Sequence, residues 1–347
     1  MITSKWIEEF KRLRLRFYMY RRDKKLAKGL PPIPADEMKK FRNTWTFAKI
    51  SNFDMIYPRI YNKIYGYYPY AFITDYHLQL ILEKTNRVDD CQALSNKALF
   101  DVYFDKMPFP RNYVRAISGV YYDTNMGVLS EEEALNTSLN IDEGTFIIKP
   151  SIISGCGREV RKINIKDIDH ATLREIYKIY DGEFVVQECL RQCVEIEKLN
   201  PTSINSCRIT SIYIDGKFGC STVIKIGKTG AIVDNWKDSY LVGVDSQGNL
   251  CEFGFDINLN RVFQTDNGIP FKGVSIPCYD KMIEFVETAH KQYLPQCGIV
   301  GWDVVIDSNY EIKVIEMNLV QPGVVGEQLA SGAFFEDFVD VINKRLS

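Results

Sequence analysis

Apolar positions recur along this chain with two different periods. Near the start, Trp6, Phe10, Leu13 and Phe17 fall three or four residues apart, the spacing that lines one helix face, and predict a helix within residues 5–28. Gly29 and the Pro31-Pro32-Ile33-Pro34 run end it. Helical spacing returns at Met38–Phe47, Asp75–Lys84, Lys97–Lys106 (capped by Ser95 or Asn96), from Glu131, over 279–293 and over 327–346. Runs rich in β-branched and aromatic residues predict strands at Tyr113–Ile117, Thr145–Lys149, Val160–Ile163, 183–190, Arg208–Ile214 and Phe218–Ile226. Asp215-Gly216 is a hairpin turn, and 241–255 forms a further hairpin around Asp245–Asn249. The clearest hairpin is the last: Trp302–Ile306 and Ile312–Met317 flank Asp307-Ser308-Asn309-Tyr310.

That last hairpin carries candidate chemistry. Strand side chains alternate, so Glu316 and Asn318 share a face, and Asp303 joins them if the loop holds an even number of residues. Two carboxylates at one end of an apolar hairpin are unfavourable unless neutralised. Mg²⁺ does this, because it is hard and binds through one or two carboxylates plus substrate phosphates. The alternative is a satisfied polar hairpin end without metal. Residues 144–163 hold a second candidate: a strand ending in Lys149, broken by Pro150, then the small-residue loop Ser154-Gly155-Cys156-Gly157, then a strand again. Backbone N–H groups and an ammonium so placed cradle phosphate. The alternative is an ordinary glycine hairpin with a surface lysine. G-x-x-x-x-G-K-[ST] is absent, so it is not a Walker loop.

Composition narrows the classes. With 347 residues the chain has room for two or three domains, and 46% apolar with 25% charged residues is a soluble globular balance. A net charge of −2 argues against nucleic acid as a partner of the whole protein. Nine scattered cysteines, with no histidine at zinc spacing near Cys189 and Cys193, read as reduced thiols of a cytoplasmic protein. No apolar run reaches the roughly 18 residues of a membrane span, and the first thirty residues lack a signal-peptide apolar core. Residues 5–28 carry ten basic and three acidic residues, a net of +7. The expectation is that its aromatic stripe packs against the tyrosine-rich 35–90 segment. The alternative is peripheral docking on an anionic bilayer, at the inner face of the membrane, or on a partner. His77 is expected to be structural.

The pieces also follow an order. N-K near residue 97, F-I-I-K-P, V-V-Q-E, N-P-T-S-I-N-S-C-R-I-T, V-D-N, F-K-G-V-S-I-P and I-E-M-N-L-V-Q-P-G resemble the sugar-transfer-associated ATP-grasp family, over about residues 95–347. The resemblance implies an α+β fold in which two subdomains with antiparallel sheets sandwich a nucleotide. The division expected is 1–94 (basic, aromatic and mainly helical), 95–190 (lysine and glycine loop) and 191–347 (metal and catalytic core). It implies ATP and Mg²⁺ as cofactors. Lys97 and Lys149 would meet phosphates and the adenine side, and the Ser154, Gly155 and Gly157 loop would close over the phosphates. Gln187, Glu188 and Leu190 would bond adenine, Glu195 the ribose hydroxyls. Asp303, Glu316 and Asn318 would hold the metal, and Arg208 would face the transferring phosphoryl group. The loop has two glycines where many relatives have more, and the first ninety residues lack a Rossmann-like substrate domain.

The function expected is a carboxylate–amine ligase working through an acylphosphate on a sugar acid or glycan precursor of surface polysaccharide synthesis. An ATP-grasp kinase and a non-catalytic nucleotide-binding scaffold are the alternatives. No G-x-S-x-G or other nucleophile stands out. The sequence leaves the oligomeric state open.

Overall fold

A computed structural model describes the backbone of residues 2–152, 160–231 and 236–347, and side chains from residue 12 onward except that of residue 88. The chain opens with helices α1 (Ile2–Asp23), α2 (Ala35–Thr44), α3 (Ile56–Tyr65), α4 (Asp75–Thr85), α5 (Val88–Leu94) and α6 (Phe100–Tyr103). Then come β1 (Asn112–Ile117), β2 (Val120–Tyr122), β3 (Val128–Leu129), α7 (Glu131–Leu139), β4 (Thr145–Pro150), β5 (Arg161–Asn164), α8 (His170–Lys178), β6 (Phe184–Glu188) and α9 (Val194–Glu197). The second half runs β7 (Ser206–Ile214), β8 (Lys217–Gly227), β9 (Ser239–Val244), β10 (Leu250–Phe255), β11 (Arg261–Val262), α10 (Tyr279–Tyr293), β12 (Ile299–Ile306), β13 (Ile312–Asn318), α11 (Val325–Ser331) and α12 (Val339–Leu346).

Among the described residues the strands form two sheets. One has six strands in the order β3-β2-β1-β6-β4-β5, the other seven in the order β11-β10-β9-β8-β7-β12-β13. The paired strands run antiparallel throughout. Helices α7 and α8 cover the first sheet: Ala134, Leu135, Leu173 and Tyr177 share its core with Val114, Phe146 and Phe184. The second sheet is covered twice. Met282, Val286 and Ala289 of α10 pack with Val300, Trp302 and Val304. Met38, Phe41, Ile81 and Leu82 of the N-terminal helices pack with Ile212, Ile214 and Ile299. The N-terminal helices are thus a layer of the second sheet's core.

Local chemistry explains the boundaries. Ser130 caps α7 through a reciprocal box with Glu133, and Asn96 accepts from the Ala98 N–H. The helix expected over Lys97–Lys106 is shorter: a 3₁₀ turn, Lys97–Leu99, leads into α6, which stops at Tyr103. Phe104 and Met107 beyond it are buried in the core, and Pro108 and Pro110 follow. The terminal helix expected over 327–346 is broken, because Gly332 ends α11 at φ 95° and Phe335 and Phe338 bury before α12 begins.

The aromatic stripe of α1 is placed differently from expectation where it is described. Leu13 and Phe17 are 57% and 53% exposed. Charged side chains face the body instead: Arg16 pairs with Asp54, Arg12 with Glu83, and Arg22 with Asp23 and Asp75. Among the described residues no helix is long and apolar enough to cross a membrane.

Candidate active site

The last hairpin places its acids by an irregularity that the sequence does not announce. Ile306 pairs with Ile312, so the loop between them holds the five residues Asp307 to Glu311, an odd number. Continued regularly, that register would set Asp303 opposite Ile315. A bulge at this point shifts it, and Asp303 pairs with Glu316 and Gly301 with Asn318. Directly opposed cross-strand residues have Cβ atoms about 4.5–5.5 Å apart on one face. Asn318 Nδ2 accordingly donates to Asp303 Oδ2 at 3.2 Å.

β7 pairs with the other edge of β12 and sets Arg208 opposite Asp303. Arg208 donates its fork to both Asp303 oxygens, Nε and Nη2 each at 2.8 Å, and Nη1 to the Pro322 carbonyl at 2.7 Å. That carbonyl reaches the strand because Gly301 has no side chain; a Cβ there would lie 3.0 Å from Pro322 O. Lys225 of β8 reaches Asp303 at 2.9 Å. Burial works to raise the Asp303 pKa, but Arg208 and Lys225 outweigh it and hold the carboxyl well below its usual range. Burial opposes the Arg208 charge too, and Asp303 overrides it, raising the guanidinium further.

The first sheet and its connector supply two lysines to the same place. Lys97 is buried at 5% exposure, and its Nζ lies 3.1 Å from Glu316 Oε1. The fully buried Arg115 of β1 pins Lys97's segment by bonding Ala98 O and both Asp101 oxygens. The Lys97 N–H donates to Ser151 O at 2.9 Å, tying it to the end of β4, where Lys149 sits. Lys149 is 6% exposed, and among the described residues its ammonium makes no hydrogen bond or ion pair. Burial first, then the charge of Lys97, lower its pKa to about 8, against the pull of Glu316 and Asp303.

Two further residues were not anticipated. Besides Lys225, Glu327 of α11 is buried at 4%; Thr210 donates a short hydrogen bond to one carboxylate oxygen, and Arg208 Nη1 lies 3.9 Å from the other. Burial, opposed by Arg208, pushes Glu327 up to about 8. A glutamate eleven residues after Glu316 carries no pattern of its own; only the fold brings it to Arg208.

The remaining expected residues stand apart from this cluster. Gln187 donates to Pro110 O and Asn112 Oδ1, and Glu188 accepts from the Arg111 N–H, so both side chains are engaged at the strand edge. Leu190 follows β6 and is partly exposed. Glu195 accepts from the Tyr310 hydroxyl at the hairpin's turn, at 3.0 Å. Ser154, Gly155 and Gly157 lie outside the described residues, as does the V-D-N segment. His77 and His290 are buried, and burial lowers both to about 4.

Residues 81–343 match the family model described as sugar-transfer associated ATP-grasp. The chain belongs to this ATP-grasp family. Its fold is accordingly α+β, with two antiparallel sheets preceded by a helical segment. No curated protein matches the chain. Among solved structures this ATP-grasp chain is similar to D-alanyl-alanine synthetase A from Vibrio cholerae, at 11% identity and TM-score 0.44, covering 74% of this chain and 66% of that one. It is also similar to D-cycloserine synthetase, at 14% identity and TM-score 0.44, over 74% and 71%. D-alanine–D-alanine ligase from Helicobacter pylori gives 13%, 0.44, 78% and 65% in the same order. The chain thus spans about two thirds of the length of these solved relatives.

Proposed function

We propose that the protein is an ATP- and Mg²⁺-dependent ligase that joins a carboxylate to an amine through an acylphosphate. The observation that carries this reading is Lys149. An ammonium buried without a partner among the described residues, beside a second buried lysine, is unfavourable on its own and favourable against an anion. With Arg208 and Lys225, four cationic side chains gather around Asp303 and Glu316. That surplus suits a polyphosphate.

The metal reading is consistent with the donor set. Asp303, Glu316 and Asn318 offer only oxygen, from two carboxylates and an amide, which suits an ion completed by phosphate and water. Among the described residues no group of three His, Cys, Asp or Glu side chains could hold a metal ion alone. When bound, Mg²⁺ supplies positive charge to the phosphate oxygens.

The chain's own residues then divide the work. Lys97 and Lys149, with the Ser154, Gly155 and Gly157 loop, hold phosphates. The Gln187–Leu190 strand end holds adenine through its backbone, and Glu195 the ribose. Arg208, oriented by Asp303 and Pro322 O, faces the γ-phosphoryl group as it passes to the carboxylate oxygen. The amine nitrogen attacks the acyl carbon, the bond from that carbon to the phosphate oxygen breaks, and phosphate leaves with the proton that the amine gives up. Glu327 keeps its proton below about pH 8 and so adds little negative charge beside Arg208. In this division 95–190 supplies phosphate contacts and 191–347 the metal and reacting centre, with 1–94 as a helical layer. The family's description points to a sugar acid or glycan precursor as the carboxylate, handled in the cytoplasm, by analogy alone. Incubation with ATP, Mg²⁺ and a panel of uronic acids and amines tests the reading: ADP, phosphate and an amide support it. ADP with a stable phosphoester would replace it by a kinase, and absence of ATP binding would leave a scaffold.

A further inference from the structure

The described part of α1 and the turn after it present an outward surface of unusual composition. Leu13, Phe17 and Tyr18 are 57%, 53% and 64% exposed. Arg14 and Arg21 are exposed among them, with the Arg21 guanidinium 5.8 Å over the Phe17 ring. Lys24, Lys25 and Lys28 continue the exposed basic surface beyond the helix. From residue 12 to 28 the single acid is Asp23, which is buried and bonded by Arg22. The helix is held in this rotation from beneath. Arg12, Arg16 and Arg22 are tied to Glu83, Asp54 and Asp75, and Tyr20 lies edge-on to Phe53 at 4.9 Å. The ion pairs therefore keep the apolar side chains out of the protein's own core.

We propose that this face of α1 docks the protein on an anionic lipid bilayer. Aromatic and aliphatic side chains interleaved with arginine and lysine suit the headgroup boundary: rings enter the acyl edge while the cations stay with lipid phosphates. Among the described residues 12–28 this surface carries no exposed acid to repel anionic lipid. The inference stands independently of the ligase reading, because none of its residues touches the candidate active site.

Co-sedimentation of the full chain with phosphatidylglycerol/phosphatidylcholine vesicles, and with phosphatidylcholine alone, tests it at low and physiological salt. The expected result is binding to the anionic vesicles at both salts, at least about tenfold stronger than to neutral ones. The double variants Leu13→Glu/Phe17→Glu and Arg14→Glu/Arg21→Glu should each lose it, with thermal melting unchanged. A wild-type chain that stays in the supernatant overturns the proposal. So does binding that is salt-labile and indifferent to Leu13→Glu/Phe17→Glu, which would mark a purely ionic surface for an acidic protein or nucleic acid.

Discussion

Two clusters of charge, one beneath α1 and one between the two sheets, are balanced differently. Beneath α1, Asp54 receives the Arg16 fork and bonds Ser51, while Asp23 and Asp75 share Arg22. Each acid there has a donor and each inward arginine an acid. Between the sheets, Arg208 and Lys225 answer Asp303, Lys97 answers Glu316, and Lys149 is left over among the described residues. Glu327 is pushed toward neutrality close to Arg208. The first cluster is complete and serves to seat a helix. The second is complete only when it meets further negative charge. Burial and ion pairing are common to both, so the leftover cation, not the density of charge, is what marks the second cluster as the candidate site.

Exchanging charges in the two clusters should therefore do opposite things. The largest effect is expected for Glu316→Gln, which removes a proposed metal ligand that is 27% exposed at its side chain and has one lysine partner. Turnover should fall by about a thousandfold or more; steady-state rates across a Mg²⁺ series check this. Asp54→Ala is the mirror case. It strands Arg16 and should cost roughly 3–5 kcal/mol of stability, with the ATP Kd unchanged by calorimetry.

Lys149→Met should stabilise the ATP-free protein. Its folded pKa of about 8 lies below the ordinary 10.5, so the burden of its charge is full below pH 8 and fades as pH rises toward 10.5. Thermal melts should show a gain on the order of 1–3 kcal/mol at pH 7 that shrinks near pH 10. Destabilisation at pH 7 would mean the lysine has a structural partner after all.

Glu327→Gln should change stability little at pH 5, and its effect should grow as pH rises. The folded pKa of about 8 stands above the ordinary 4.5, so the native state keeps a proton the unfolded chain gives up. Wild type should lose stability as pH rises from 4.5 to 8, and the glutamine variant should not. Melts at pH 5 and pH 9 compare the two, and a difference that does not grow with pH would remove Glu327's charge from consideration.

Much of the framework was legible in the sequence because it rests on local rules. Period-2 runs gave β7, β8, β12 and β13, and Asp215-Gly216 turned where expected. Lys97, Lys149, Arg208, Asp303, Glu316 and Asn318 were named in advance and converge. What was not legible depends on tertiary packing. Alternation alone mispairs Asp303, because nothing local marks the bulge that sets it opposite Glu316. Lys225 alternates like any strand residue, and Glu327 reads as the start of a helix. The stripe of α1 has helical period but no direction; arginine–carboxylate pairs, made with residues up to 71 positions away, decide which face turns inward.

The most direct test of the site is a calorimetric titration of ATP with Mg²⁺ into the wild-type chain and into Lys149→Ala. Losing charge-assisted contacts worth roughly 1.5–3 kcal/mol should weaken the Kd about ten- to a hundredfold. In wild type alone, binding should also weaken as pH passes about 8, where the free lysine loses its proton. Equal affinities for the two proteins across that pH range would contradict the assignment of the leftover cation to nucleotide phosphate.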